Sequence, residues 1–209
     1  MLKKLLANVL ICGSIMLSTP SFAADLSNPY TVIEQSANQL FPHLKEKQSE
    51  IKANPDKVKD LIKQDLMPFV DIKYAAFKVL GSSISETNET QRARFVKAFE
   101  TYIIDTYASA VAKYNDQTIE IDKKVQQDEK NAIVNVTVNT ADKQKYNVLF
   151  KLRKNNKTSE WKVYDMVAEG ISLLSSKQAE FSSLITKHGI DEVCRKLENH
   201  ELKVENQEK

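Results

Sequence analysis

Between Gln117 and Asp165 apolar residues recur at every second position, and on either side of that block they recur at every third or fourth. Period two marks a strand with one face against a core, and a period near 3.6 marks an amphipathic helix. Ile119 and Ile121 alternate with polar neighbours, then Val134, Val136 and Val138, then Tyr146, Val148, Phe150 and Leu152, then Trp161, Val163 and Asp165. Polar stretches at 126–131, 140–143 and 155–159 separate the runs. Connections that short exclude parallel crossovers, so the block predicts a four-stranded antiparallel meander, apolar on one face. Such a face needs a cover, which the flanking helical segments must supply. The expected class is α+β: one domain, a twisted sheet with helices packed on its apolar face.

Asn28-Pro29 and Asn54-Pro55 each read as an N-cap followed by proline in the first helical position, predicting helices over 29–50 and 55–66. Pro42 is expected to kink or interrupt the first, and Pro68 to end the second. A further helix over 69–80 stops at Gly81, a left-handed cap, and residues 82–89 read as a loop. Asn88 and Gln91 stand at capping-box spacing ahead of a long helix. Its apolar positions are Phe95, Phe99, Tyr102, Ile103, Tyr107, Val111 and Tyr114, each of which fits core packing. After the last strand, Glu169-Gly170 leads into a helix over 171–187. Gly189 closes it, and a short helix over 191–199 precedes a charged tail.

The chain opens with Lys3-Lys4, an apolar run from Leu5 to Leu17, and a small-x-small exit ending at Ala23-Ala24. That is the pattern of a secretory signal, too short to span a bilayer as a mature helix, with cleavage expected after Ala23. Cys12 lies inside the apolar run behind the bulky Ile11, which argues against lipidation. Residues 24–209 then form the mature domain, with Cys194 its sole cysteine, so no intramolecular disulfide can form even in an oxidising compartment. Losing Lys3 and Lys4 leaves 28 basic and 28 acidic residues. A neutral, interspersed surface lacks the electrostatic footprint for nucleic acid or anionic membranes. The 4 glycines form no loop that could cradle phosphates, which excludes nucleotide-driven chemistry.

Reactive groups are sparse. His43, His188 and His200 stand in polar contexts without metal-ligand spacing, so no metal site is expected. Neither a nucleophile elbow nor a zincin helix is present. The strongest catalytic candidate is Asp165, with Tyr164 and Glu169 near it. Strand alternation puts Asp165 on the face of Trp161 and Val163, where an inward carboxyl beside an aromatic can act as a base. The alternative is structural: Asp165 binds backbone amides or an arginine, and Glu169 caps the following helix.

Several segments resemble the MlaC family of periplasmic phospholipid-binding proteins, also described as toluene-tolerance auxiliary transport components. They are Asn28-Pro29-Tyr30, Ala53-Asn54-Pro55, Pro68-Phe69-Val70-Asp71 with Tyr74, Val79-Leu80-Gly81, and Gln91-Arg92 with Phe95 and Phe99. The most specific is Trp161-Lys162-Val163-Tyr164-Asp165-Met166-Val167-Ala168-Glu169-Gly170-Ile171-Ser172, followed by Lys177-Gln178 and Phe181. The resemblance spans 28–197; it departs at Ser82-Ser83, where many relatives carry an aromatic, and that bears on the local pocket rim. It implies an NTF2-like α+β fold whose cavity between sheet and helices holds acyl chains while the headgroup stays near solvent, with phospholipid as cargo and no cofactor. It also implies a monomeric carrier that is not an enzyme, with two partners that maintain outer-membrane lipid asymmetry. One is an outer-membrane Mla lipoprotein associated with porin, the other the substrate-binding subunit of an inner-membrane Mla transporter.

On that basis the cavity lining is expected from Val134, Val136, Val148, Phe150 and Val163 on the strands. Phe99, Ile103 and Tyr107 stand opposite, and Ile171, Leu174 and Phe181 close the remaining side. Taken alone, a period-two stripe signals a solid core; the cavity comes from the resemblance. Two other classes stay open: a small NTF2-like enzyme using Asp165 as general base, and a structural interaction protein with a filled core.

Overall fold

The computed structural model describes residues 25–202. The expected signal segment, its cleavage after Ala23 and the end of the charged tail lie outside the described residues. Helix α1 (Pro29–Glu46) begins where the side chain of Asn28 accepts from the backbone N–H groups of Tyr30 and Thr31. It continues through Pro42, and the break expected there falls at Lys47, ahead of α2 (Gln48–Ala53).

The segment expected as one helix over 55–66 is α3 (Lys57–Leu61) followed by a π-helical turn, Ile62–Leu66. A 3-10 turn, Met67–Phe69, then leads to an extended Val70 instead of continuing into the next helix. The reason lies in the sheet: Val70 bridges Val163 in parallel, and Asp71 N–H donates to Val163 O at 2.7 Å. Asp71 then caps α4 (Ile72–Leu80), accepting from Tyr74 N–H, and the helix ends at Gly81 with φ +54. The expected loop after it is a 3-10 turn, Gly81–Glu86. Asn88 and Gln91 form the reciprocal capping box of α5 (Glu89–Ala112).

The sheet is antiparallel: β1 (Thr118–Ile121), β3 (Asn131–Asn139), β4 (Lys145–Lys154), β5 (Trp161–Ala168) and β6 (Ile171–Ser172) in that order. The short β2 (Gln126–Gln127), expected to be turn, pairs with β3 beside β1, so the first strand of the meander is broken in two. The far edge of β5 is covered piecewise, by Leu26 at Trp161, by Val70 and Asp71 at Val163, and by β6 at its end. Covering an edge this way removes a template for unwanted strand pairing.

Between Lys151 and Leu152 the register of β4 against β5 shifts at a bulge. Val163 pairs with Leu152 but Asp165 pairs with Lys151, leaving Tyr164 as the extra residue. Paired residues share a face and consecutive residues do not, so Asp165 leaves the face of Trp161 and Val163. Glu169 and Gly170 both have positive φ, 49 and 80, as a tight turn between β5 and β6 requires. Helix α6 (Leu173–His188) starts two residues later than expected because Ser172 is its cap; Gly189, with φ +78, joins it to α7 (Ile190–Glu198).

The buried residues form three clusters rather than one. One joins α4, α5, α6 and α7; a second joins α1 and Phe69 to β3, β4 and Trp161; the third joins α1, α2, α3 and the π turn to α5.

Candidate functional site

All three clusters border one cavity of about 590 Å³. Ile33 and Val136 reach it from the second cluster, Leu40, Leu44 and Ile62 from the third, and Ala75 and Phe99 from the first. Its volume lies inside the range of small-molecule sites, about 300–1,000 Å³. Helix α1 supplies one wall through Phe41 and its neighbours, α5 another through Ile103, Tyr107 and Val111 with Tyr114 just past its end, and the sheet a third. Ile103, Phe150, Val163 and Met166 are only half-buried although they sit mid-element, because part of each faces the void.

The lining includes Phe99, Ile103, Tyr107, Val136, Val148, Phe150, Val163 and Leu174. Three expected residues stand elsewhere. Val134 is fully buried against Val32, Phe69 and Trp161, where the sheet is solid. Phe181 is fully buried among Phe95, Phe99 and Tyr102, with ring centroids 5.4–5.7 Å away. Ile171 belongs to β6 instead of a helix and is 55% exposed. Ser82 and Ser83 lie outside the lining, so the departure from the family pattern does not touch it. Sequence reasoning missed the contribution of α1 and of the π turn through Leu66, whose apolar residues read as ordinary core.

The carboxylate of Asp165 is fully engaged. Oδ1 accepts from the backbone N–H of Leu174 at 3.0 Å; Oδ2 accepts from Ser172 Oγ at 2.8 Å and Lys151 Nζ at 3.0 Å. The bulge takes it off the face of Trp161 and Val163; it still borders the cavity, but three donors occupy the carboxylate that a general base would need free. It ties the start of α6 to the sheet, the structural alternative, with a lysine where an arginine was expected. Glu169 does not cap α6; its Oε1 accepts from Asn147 N–H across the sheet at 3.2 Å. Tyr164 meets Tyr74 edge-on at 5.2 Å, and Tyr74 carries the Arg153 guanidinium on its face at 4.1 Å. Arg153 in turn donates to Asp71 Oδ2 at 2.8 Å. Asp71, Tyr74 and Tyr164, all from segments that carry the resemblance, thus join Arg153 in locking α4 to the bulge.

Two polar groups stand beside the apolar walls. Asp65, 2% exposed on the π turn, has His43 Nδ1 2.8 Å from its Oδ2, which pins α1 to that turn. Lys177 lines the cavity itself. Burial works against its charge, but hydrogen bonds to Glu180 and Tyr102 outweigh it and hold the ammonium above the ordinary lysine value. His188 and His200 are exposed, and no group of three metal-ligating side chains occurs among the described residues. Cys194 is buried, which pushes its thiol up to about 11.

The geometry can be set beside known proteins. The toluene tolerance protein ttg2D of Pseudomonas putida is 25% identical over 178 residues, 85% of this chain and 82% of that one. The solved structure of a phospholipid-binding protein from Ralstonia solanacearum, in complex with a phospholipid, has the same fold. It superposes with a TM-score of 0.72 at 23% identity, covering 84% of this chain and 96% of that one. The intermembrane phospholipid transport system binding protein MlaC of Haemophilus influenzae is 35% identical over 175 residues, 82% of this chain and 81% of the relative. The family model described as MlaC protein matches residues 34–199, from the middle of α1 to the end of α7. On that match and that identity, the chain belongs to the MlaC family.

Proposed function

We propose that this chain is a soluble periplasmic phospholipid carrier, exported by a signal cleaved after Ala23. It shelters acyl chains in the cavity while lipid moves between outer-membrane and inner-membrane Mla complexes, and so helps maintain outer-membrane lipid asymmetry. The observation that carries this reading is the apolar cavity of about 590 Å³ between sheet and helices. The names of the Haemophilus and Ralstonia proteins, which specify phospholipid transport and phospholipid binding, support it.

At about 0.8 kcal/mol per methylene, two acyl chains in water would cost on the order of 20 kcal/mol. A carrier must replace the bilayer almost completely or the lipid stays where it is. Because bilayer and cavity are both apolar, transfer sits near zero free energy, and small changes induced by a partner load or unload the lipid. Direction comes from the partners, an outer-membrane lipoprotein with porin on one side and a transporter's substrate-binding subunit on the other. The carrier acts as a monomer in a single domain, without cofactor or catalysis.

Phe99, Ile103, Tyr107, Val136, Val148, Phe150, Val163 and Leu174 contact the chains in this account. Phe150→Asp or Val148→Asp places a charge in the wall and is expected to abolish copurifying phospholipid while the protein still unfolds cooperatively. A folded variant that retains phospholipid would show that these residues do not line the lipid site.

A further inference from the structure

The cavity is open at one end of the sheet and solid at the other. Its exposed lining residue is Ala110 on α5, and Gln117 and Thr140 stand where its wall turns polar. The large hydrophobic side chains exposed among the described residues, Tyr146 and Ile171, continue the cavity face of the sheet toward that end. Tyr146 pairs with the lining Val138, and Ile171 with Ala168, which pairs with the lining Val148. In the opposite direction along the strands the lining stops abruptly. On β3 Val136 lines the cavity and Val134 does not; on β4 Phe150 does and Leu152 does not; on β5 Val163 does and Trp161 does not. Just before α4, Val70 does and Phe69 does not. Val134, Leu152, Trp161 and Phe69 are 0–4% exposed and belong to one cluster, against which Phe150 and Val163 pack.

A solid floor across the strand direction limits how much chain fits below the mouth. An acyl chain with methylenes to spare cannot sink further, because a packed interior resists added volume, so the surplus stays at the mouth in contact with water. A chain that is too short leaves the deep end empty, and the side chains there lose contacts. We propose that Val134, with Leu152, Trp161 and Phe69 beside it, sets the acyl-chain length that the cavity accepts, by stopping the terminal methyl at the level of Phe150, Val163 and Val70. This rests on the carrier reading above and adds selectivity to it: phospholipids with the same headgroup are told apart by their tails.

The test offers delipidated mature protein an equimolar mixture of dilauroyl, dimyristoyl and dipalmitoyl phosphatidylglycerol and reads the bound masses by native mass spectrometry. The wild type is expected to prefer one length. A methylene more or less in a closed apolar pocket is worth about tenfold or more. Since a chain can also emerge at the mouth, each floor variant is expected to change the ratio of long to short a few-fold. Val134→Ala opens space in the floor and should favour the longer chains; Val163→Phe fills space above it and should favour the shorter. Val193→Ala makes the same deletion in the buried cluster of α7, away from the cavity, and should keep the wild-type ratio. Val163→Phe takes nothing out of the core and carries the test alone if Val134→Ala does not fold. A folded Val134→Ala or Val163→Phe with the wild-type ratio, an equal shift in Val193→Ala, or a wild type indifferent to length overturns the floor's role and leaves the carrier standing. A wild type that takes up none of the three overturns both.

Discussion

The two halves of α5 carry the same kinds of side chain and meet opposite surroundings. Phe95, Phe99 and Tyr102 in the first half close on Phe181, with rings near-perpendicular, and the fully buried Val193 and Cys194 of α7 join the same cluster. Ile103, Tyr107 and Val111 in the second half, with Tyr114 just past its end, face the void, with Val136 and Val148 on the sheet wall beyond. Phe99 belongs to both regions. Apolar character therefore does not decide whether a helix face becomes core or cavity wall. What decides is whether another element docks on that face: α6 and α7 close over the first half, whereas α1, α3 and the π turn cover only part of the second and its remaining face borders the cavity.

The sharpest way to break that contrast is to truncate one aromatic on each side. Phe181→Ala removes a ring surrounded on every side and is expected to cost about 3–5 kcal/mol in denaturant unfolding. Phe150→Ala, measured on lipid-free protein, removes a ring that already has empty space along part of its surface. It should cost only about 1–2 kcal/mol, since fewer contacts are lost. Equal losses would mean that the region beside Phe150 is as well filled as the one beside Phe181.

A smaller effect sharpens the same comparison through cysteine chemistry. Burial holds the Cys194 thiol near 11, so at pH 8 it stays protonated and inaccessible, and alkylation should wait for unfolding. Raising the pH toward 11 increases the thiolate fraction without opening the site. In lipid-free Ile103→Cys the introduced thiol should react well before Cys194, and loading with phospholipid should slow it. Reaction of both at one rate would erase the distinction between the regions.

Much of this was legible from residue types alone. The cap at Asn28-Pro29, the box of Asn88 and Gln91, and the glycines ending α4 and α6 act through local backbone geometry, which sequence encodes directly. The period-two runs gave the strands for the same reason. What escaped depends on tertiary pairing. Val70 is extended because Val163 needs an edge partner, so one expected helix over 69–80 begins only at Ile72. The bulge at Tyr164 reverses the face of Asp165, and no alternation rule can see an inserted residue. The same limit applies to the cavity: Val134 and Val136 are neighbours on one face of β3, yet only Val136 lines the void.

The central claim is that the hollow half of the molecule exists to hold a lipid, and native mass spectrometry of the purified mature chain tests it most directly. The account predicts a mass above that of the polypeptide by a phospholipid, with that phospholipid recovered on extraction. It also predicts a fall in unfolding temperature when the lipid is removed, since only the folded state binds it. A bare polypeptide mass, with no lipid in the extract and no uptake from added phospholipid, would contradict it.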